Sequence, residues 1–233
     1  MECLYLPELS ENQNDINLIG DELKHLFVLR LRVGEKIIIT NGKGLSAISS
    51  LKSISKNIAI LSPQEYFINS GELAYPLGLA IGILDNRERF EFTLEKSIEL
   101  GISDFYPLIT DFTQKKTIQK TRLEAKAISA LKQSHRSNLT TIHPPISLQK
   151  LFSEQNKFDT IILADYNGVK PELTKLFKSS LVLIGPEGGF SYNEIEFIKN
   201  QKNAKSINIA NRRLRAETAA ILAVGLVALN MKE

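Results

Sequence analysis

The chain has 233 residues, 43% hydrophobic and 24% charged, with a formal net charge of +3. That is enough apolar material for one large domain or two smaller ones, and too little positive excess to argue for a nucleic-acid partner by itself. Cys3 is the only cysteine, which excludes an intramolecular disulfide and a thiolate-rich zinc site. His25, His135 and His143 stand in no metal spacing, so no metal is expected. Neither a P-loop nor a GxGxxG dinucleotide fingerprint is present. The longest apolar run, residues 219–229, is well short of the ~20 residues a membrane helix needs. The opening MECLYLPELSENQND is acidic and lacks the pattern of a secretory leader, so a cytoplasmic protein is expected.

Residues 21–29 predict a short helix and 35–40 a strand. Asn41-Gly42 is a hairpin signal, because both residues tolerate positive φ. Short β-like stretches follow at 45–54 and 57–61, which together predict a small antiparallel sheet or barrel. The polar, Gly- and Pro-bearing stretch 62–75 reads as a linker. From Leu77 onward strands and helices alternate. Strands are expected at 77–84, 105–109, 160–164, 181–184 and 206–209, with helices between them. In the helix at 87–100, Phe90, Leu94 and Ile98 share a face and Gly101 stands in the stop position; in the helix at 121–134, Leu123, Ala127 and Leu131 are in register. Such alternation predicts a parallel sheet covered on both faces, with a ligand site off the carboxyl ends of its strands.

Two of those strand ends carry unusual loops. The apolar run at 181–184 stops at Gly185-Pro186-Glu187-Gly188-Gly189-Phe190, and Ser191 with Glu194 then forms a capping box for the next helix. Either a tight turn or a ligand approaching the backbone closely accounts for these glycines. The strand ending at Ile209 and Ala210 is followed by Arg212, Arg213 and Arg215, then Glu217-Thr218 at a helix start. Glu217 suits a helix N-terminus electrostatically, and Thr218 can help cap. The final helix is apolar all round at 219–229, where a surface helix would show a polar face. Its second side is expected to pack on a twin subunit, or else deep inside a monomer. Basic residues cluster three times. One cluster is Arg30, Arg32, Lys36 and Lys43, another runs from Lys115 to Arg136, and the third from Lys199 to Arg215. Each alone reads as a solvated face; three together weigh toward an RNA partner.

GPEGGFSYNEI and RRLRAETAA resemble the signature of the ribosomal RNA small-subunit methyltransferase E family. Its members methylate N3 of a uridine in 16S rRNA with S-adenosylmethionine and belong to the SPOUT superfamily. The likeness extends through His25-Leu26, Val28-Leu29-Arg30, Arg32 and Gly34-Glu35. It continues in Glu95-Lys96-Ser97, Glu99-Leu100-Gly101, Gln133-Ser134, Arg136 and Pro144-Pro145-Ile146-Ser147-Leu148. It implies an α/β fold, a SPOUT-type mostly parallel sheet with a C-terminal trefoil knot, preceded by a small PUA-like β-barrel domain. The expected boundaries are 1–70 for the PUA-like RNA-binding domain and 74–233 for the methyltransferase domain. By the same resemblance Leu163, Ile184, Gly185, Pro186, Glu187, Ile209 and Leu214 hold the cofactor, with Gly188 and Gly189 leaving room for its ribose and methionine. Arg215, Glu217 and Thr218 face the methyl group and the uracil. Arg30, Arg32, Lys96, Arg136, Arg212 and Arg213 are the expected RNA contacts. The implied partners are 16S rRNA or the assembled small subunit, and a second copy of the chain in a homodimer.

The chain departs from that pattern in three places. Met1-Glu2-Cys3-Leu4-Tyr5 carries no arginine, Asn138 replaces a second arginine, and Leu84-Asp85-Asn86-Arg87 replaces a lysine–glycine stretch. Arg215 is the expected stabiliser of negative charge on the uracil oxygens, with a grip on phosphate as its alternative. Glu187 is either a base or an orienter of its loop. Two other functions stay open: a SPOUT enzyme acting on tRNA or on a ribose 2′-hydroxyl, and a non-catalytic RNA-binding assembly factor.

Overall fold

A computed structural model describes residues 1–154, 157–170 and 178–231. The chain divides into two compact units, one of Met1–Glu72 with Ile128–Leu139, the other of Leu73–Ala127 with Thr140–Glu233.

The first unit contains β1 (Cys3–Tyr5), β2 (Ile16–Leu18), α1 (Gly20–Leu29), β3 (Lys36–Thr40), β4 (Leu45–Ile54) and β5 (Ala59–Ile68). They form a curled five-stranded sheet in the order β1-β3-β4-β5-β2, antiparallel except for the β1–β3 pair. Its core joins Leu4 and Leu18 from the edge strands to Ile37, Ile39, Leu51 and Leu61, and α1 adds Leu23 and Leu26. The expected linker is therefore strand as far as Ile68. The polar composition of 62–68 reflects a strand end with no fully buried residue, and Pro63 fits because it stands at a register shift, where Ser49 faces Pro63 and Ile48 faces Glu65. Arg136 is 2% exposed, and its Nη2 lies 2.6 Å from a carboxylate oxygen of Glu72. The same carboxylate accepts the backbone N–H groups of Ser137 and Asn138. Arg136 is thus an internal tie of this unit rather than the RNA contact expected from the basic cluster.

The second unit contains β6 (Leu77–Gly82), α2 (Arg87–Glu99), β7 (Asp104–Ile109), α3 (Lys120–Ser134), β8 (Thr141–Ile142), β9 (Ile146–Ser147) and α4 (Leu148–Glu154). The last turns of α3 belong to the first unit. β10 (Thr160–Val169), β11 (Ser180–Ile184), α5 (Tyr192–Lys199), β12 (Ala204–Ile207) and α6 (Ala216–Leu229) complete it. The sheet is parallel throughout, in the order β12-β10-β11-β6-β7-β8, with β9 also on β7. β6 and β11 are buried along their whole length, as strands covered on both faces must be. The helix expected between 164 and 181 falls largely on residues outside those described.

β10 is longer than expected and broken. Ala164 and Val169 both stand opposite Ile207, so residues 165–168 bulge out of the ladder. β12 ends at Ile207 rather than Ile209, with one last bond to β10 from the Asn208 N–H to the carbonyl of Val169 at 2.8 Å. On α6, Ala220, Ala223, Val224 and Val227 are buried, while Leu222 and Leu229 on other faces are exposed. The helix thus buries one side within its own chain and leaves apolar residues open on the rest. Among the described residues no helix is long and apolar enough to cross a membrane.

At the amino end of β7, Asp104 accepts a hydrogen bond from Ser103 Oγ at 2.7 Å, lies 3.0 Å from His143 Nε2 and is paired with Lys157. Burial pushes its carboxyl up, but the bonds from His143, Lys157 and Ser103 outweigh burial and hold it down at about 2. A depressed carboxylate stabilises the fold above its unfolded pKa, and this contribution is lost as pH falls through the folded value. Asp104→Asn is expected to cost about 2 kcal/mol at neutral pH. The gap from wild type should close as thermal melting is repeated toward pH 2; a gap independent of pH would show that the carboxylate charge is not what matters.

Candidate active site

At the carboxyl ends of β10, β11 and β12 lies a cavity of about 790 Å³. That is the size of a small-molecule site, and it sits where a parallel sheet places one. Three segments wall it: 164–166 at the β10 bulge, 184–189 after β11, and 208–216 before and into α6. Glu217 and Ala219 close one side, and Arg89 reaches in from α2. The two motif loops therefore meet, as the sequence predicts.

The 184–189 loop doubles back on itself. A Cβ on Gly185 would lie 2.5 Å from the carbonyl carbon of Gly189, so only glycine fits there. Gly189 has φ +76° and nothing within 4 Å of where a side chain would start. The missing side chain of Gly188 instead faces Phe112, 3.0 Å away, so its role is to let Phe112 pack rather than to clear the cavity. Pro186 packs against Gly82 at the end of β6, where any side chain would collide with it. Both ends of the loop are fixed. β11 holds one; at the other, Ser191 and Glu194 form the expected capping box, and the second Glu194 oxygen accepts the Asp111 N–H at 2.9 Å. Glu187 accepts the Asp85 N–H at 3.1 Å, so it ties this loop to the one after β6.

The third wall carries the charge. Arg212, Arg213 and Arg215 are exposed, line the cavity and form no ion pair among the described residues. Arg215 is the N-cap of α6 and has no side-chain capping bond, so the first amides of that helix open toward the cavity. Glu217, in the first turn of α6, is 13% exposed and lies 3.6 Å from Nε of Arg89. Ile184, Ile209 and Leu214 supply apolar surface. Asp165 is held by Lys199 and by Ser206 Oγ, each at 2.9 Å. Burial works to raise its pKa, but the bonds from Lys199, the Asn167 N–H and Ser206 prevail and keep it low.

Leu163 turns its side chain into the core; the contact expected there is with its backbone, and the next residue, Ala164, lines the cavity. Thr218 is the third residue of α6, exposed and outside the cavity lining, and it does not cap. Lys96, an expected RNA contact, is on α2 and pairs with Glu95 and Glu99. Arg30 and Arg32 belong to the first unit. Arg89, Asp165, Tyr166 and Asn208 line the cavity without having been singled out. The polar tetrad Asp165-Tyr166-Asn167-Gly168 at a strand end was the available signal for two of them; Arg89 had none.

Residues 71–228 match the family model described as RNA methyltransferase domain, and residues 18–64 match RNA methyltransferase PUA domain. The ribosomal RNA small subunit methyltransferase E of Rickettsia conorii is 30% identical, over 97% of this chain and 94% of that protein. The chain belongs to the ribosomal RNA small subunit methyltransferase E family. The Bacillus subtilis member is 27% identical over 96% of this chain and 94% of its own length. A crystal structure of the Neisseria gonorrhoeae member, bound to S-adenosyl methionine, superposes with a TM-score of 0.84. It is 25% identical, over 96% of this chain and 95% of that one. A Legionella pneumophila putative methyltransferase solved with the same cofactor gives a TM-score of 0.80 at 25% identity, over 97% of this chain and 96% of that one.

The residues present fit such a cofactor. Bare backbone at residues 185–189, apolar side chains at Ile209 and Leu214, and the open start of α6 suit a flat base, a ribose and a carboxylate in turn. Among the described residues no cluster of His, Cys, Asp and Glu is placed to hold a metal ion. Gly189→Val is expected to abolish S-adenosylhomocysteine binding in calorimetry, with a folding cost of about 1–3 kcal/mol from its positive φ. Gly188→Ala, whose new methyl group meets Phe112, should keep the affinity of the wild type. Equal losses in both variants would show that the loop's shape, not its clearance, governs binding.

Proposed function

We propose that this methyltransferase transfers a methyl group from S-adenosylmethionine to N3 of a uridine in the 16S rRNA of the small ribosomal subunit. The observation that carries this reading is the meeting of the glycine loop and the arginine loop around one cavity. Full-length similarity to relatives named for small-subunit rRNA methylation supports it further. The cofactor supplies a methyl group on a sulfonium, which passes in line to the acceptor nitrogen. Much of the rate then comes from holding two reactants in place, and the rigid backbone at 184–189 is suited to that.

Uracil N3 is a weak nucleophile because it carries a proton. As that proton leaves, negative charge spreads onto O2 and O4. Arg215 is the residue read as stabilising this charge, since its guanidinium lines the cavity without a carboxylate partner. Glu217 is read as a member of the same site, its carboxylate turned to Arg89 on α2. Arg212 and Arg213, with Arg30 and Arg32 of the PUA-like unit, are read as phosphate contacts. The same reading places the cofactor in a trefoil knot between β10 and α6, the enzyme in the cytoplasm, and a second subunit against the open apolar side of α6.

Mass-spectrometric mapping of rRNA nucleosides in cells with and without the gene tests the activity. Loss of one N3-methyluridine is expected, whereas loss of a tRNA methyl or a ribose 2′-O-methyl would replace the reading. Arg215→Ala should retain S-adenosylhomocysteine binding and lose ~10²–10³-fold in turnover, the range for removing one preorganised donor to a developing anion. Normal turnover would remove Arg215 from the chemistry. Leu222→Glu should shift the protein from dimer to monomer in analytical ultracentrifugation; an unchanged sedimentation coefficient would place the subunit contact elsewhere.

A further inference from the structure

Glu217 sits just beyond a loop with three arginines, and it pairs with none of them. Arg212, Arg213 and Arg215 all line the cavity and remain without an ion pair among the described residues, while Glu217 turns to Arg89 on α2. Arg89 stands on a capped helix start. It lies in the first turn of α2, and its backbone N–H donates to the N-cap side chain of Asn86 at 3.0 Å. Glu217 is mostly shielded at 13% exposed, while Arg89 is 36% exposed, so the pair is only partly screened by solvent.

We propose that Arg89 is a positioning residue that holds the Glu217 carboxylate on the α2 side of the cavity and so keeps Arg215 free to face substrate. A guanidinium already bound to a carboxylate has lost both donors and net charge, and is a poor stabiliser of a second anion. Without Arg89, Glu217 loses its ion-pair partner, and its carboxylate becomes available to an arginine of the 212–215 turn that lines the same cavity. This role rests on the assignment of Arg215 made above.

The test uses small ribosomal subunits from cells lacking the gene as substrate, with S-adenosylhomocysteine binding and thermal melting as checks on folding. Arg89→Met should lower kcat about tenfold, less than outright loss of a stabilising donor, with cofactor affinity unchanged. Arg89→Lys, which keeps the cation, should retain most of the turnover. Adding Glu217→Gln to Arg89→Met should raise kcat above that of the single Arg89→Met, since the freed carboxylate is then gone; a purely structural role gives no such recovery. Wild-type kcat in Arg89→Met, or a further fall on adding Glu217→Gln, would overturn the role of Arg89 alone. Absence of turnover by the wild type on these subunits would overturn the proposed function and this role with it.

Discussion

The site depends on a steric condition in the backbone: the chain after β11 must reverse within a few residues and still present amides rather than side chains. Gly185 makes the reversal possible, because the carbonyl carbon of Gly189 occupies the space a Cβ would need. Pro186 then rests on Gly82, and Glu194 locks the far end by accepting N–H groups from both Ser191 and Asp111. A loop pinned at both ends costs little to order when a ligand arrives, which is the physical content of preorganisation. The other walls are arranged around it. The β10 bulge turns Asp165 and Tyr166 toward the same cavity, and the turn after β12 brings in the arginines.

Charge is distributed with the same economy. Each carboxylate at the cavity already has a partner: Asp165 with Lys199, Glu187 with the Asp85 N–H and Glu217 with Arg89. The arginines of the 212–215 turn have none. The lining is therefore positive on balance: Asp165 and Glu217 are offset by Lys199 and Arg89, and Glu187 alone keeps its charge against the three arginines of the turn.

Much of this was legible in the sequence. Glycine, proline and arginine at two strand ends are local signals, and both loops lie where periodicity put them. The helices at α2 and α5 were readable from Phe90, Leu94 and Ile98 and from the Ser191–Glu194 box. What was not legible depends on contacts distant along the chain. Arg136 looks like one more cation in a basic cluster until Glu72 is found against it. β5 hides in a polar stretch because none of its residues from 62 to 68 is fully buried, and its proline fits only because β4 shifts register there. Arg89 resembles any arginine at a helix start, and its meaning comes from Glu217, more than a hundred residues later. The inward turn of Leu163 needed the strand's phase, which the bulge at 165–168 obscures.

The uncapped start of α6 leaves the first amides of that helix without a side-chain partner at the wall of the cavity. The equivalent amides of α5 are satisfied by the Ser191–Glu194 box, so the two helix starts on this sheet differ in what they offer a ligand. Whatever anionic group settles at the start of α6 completes the helix as it binds. That helix also carries the open apolar face with Leu222 and Leu229, so an anion at its start and the apolar surface along its side belong to one rigid element.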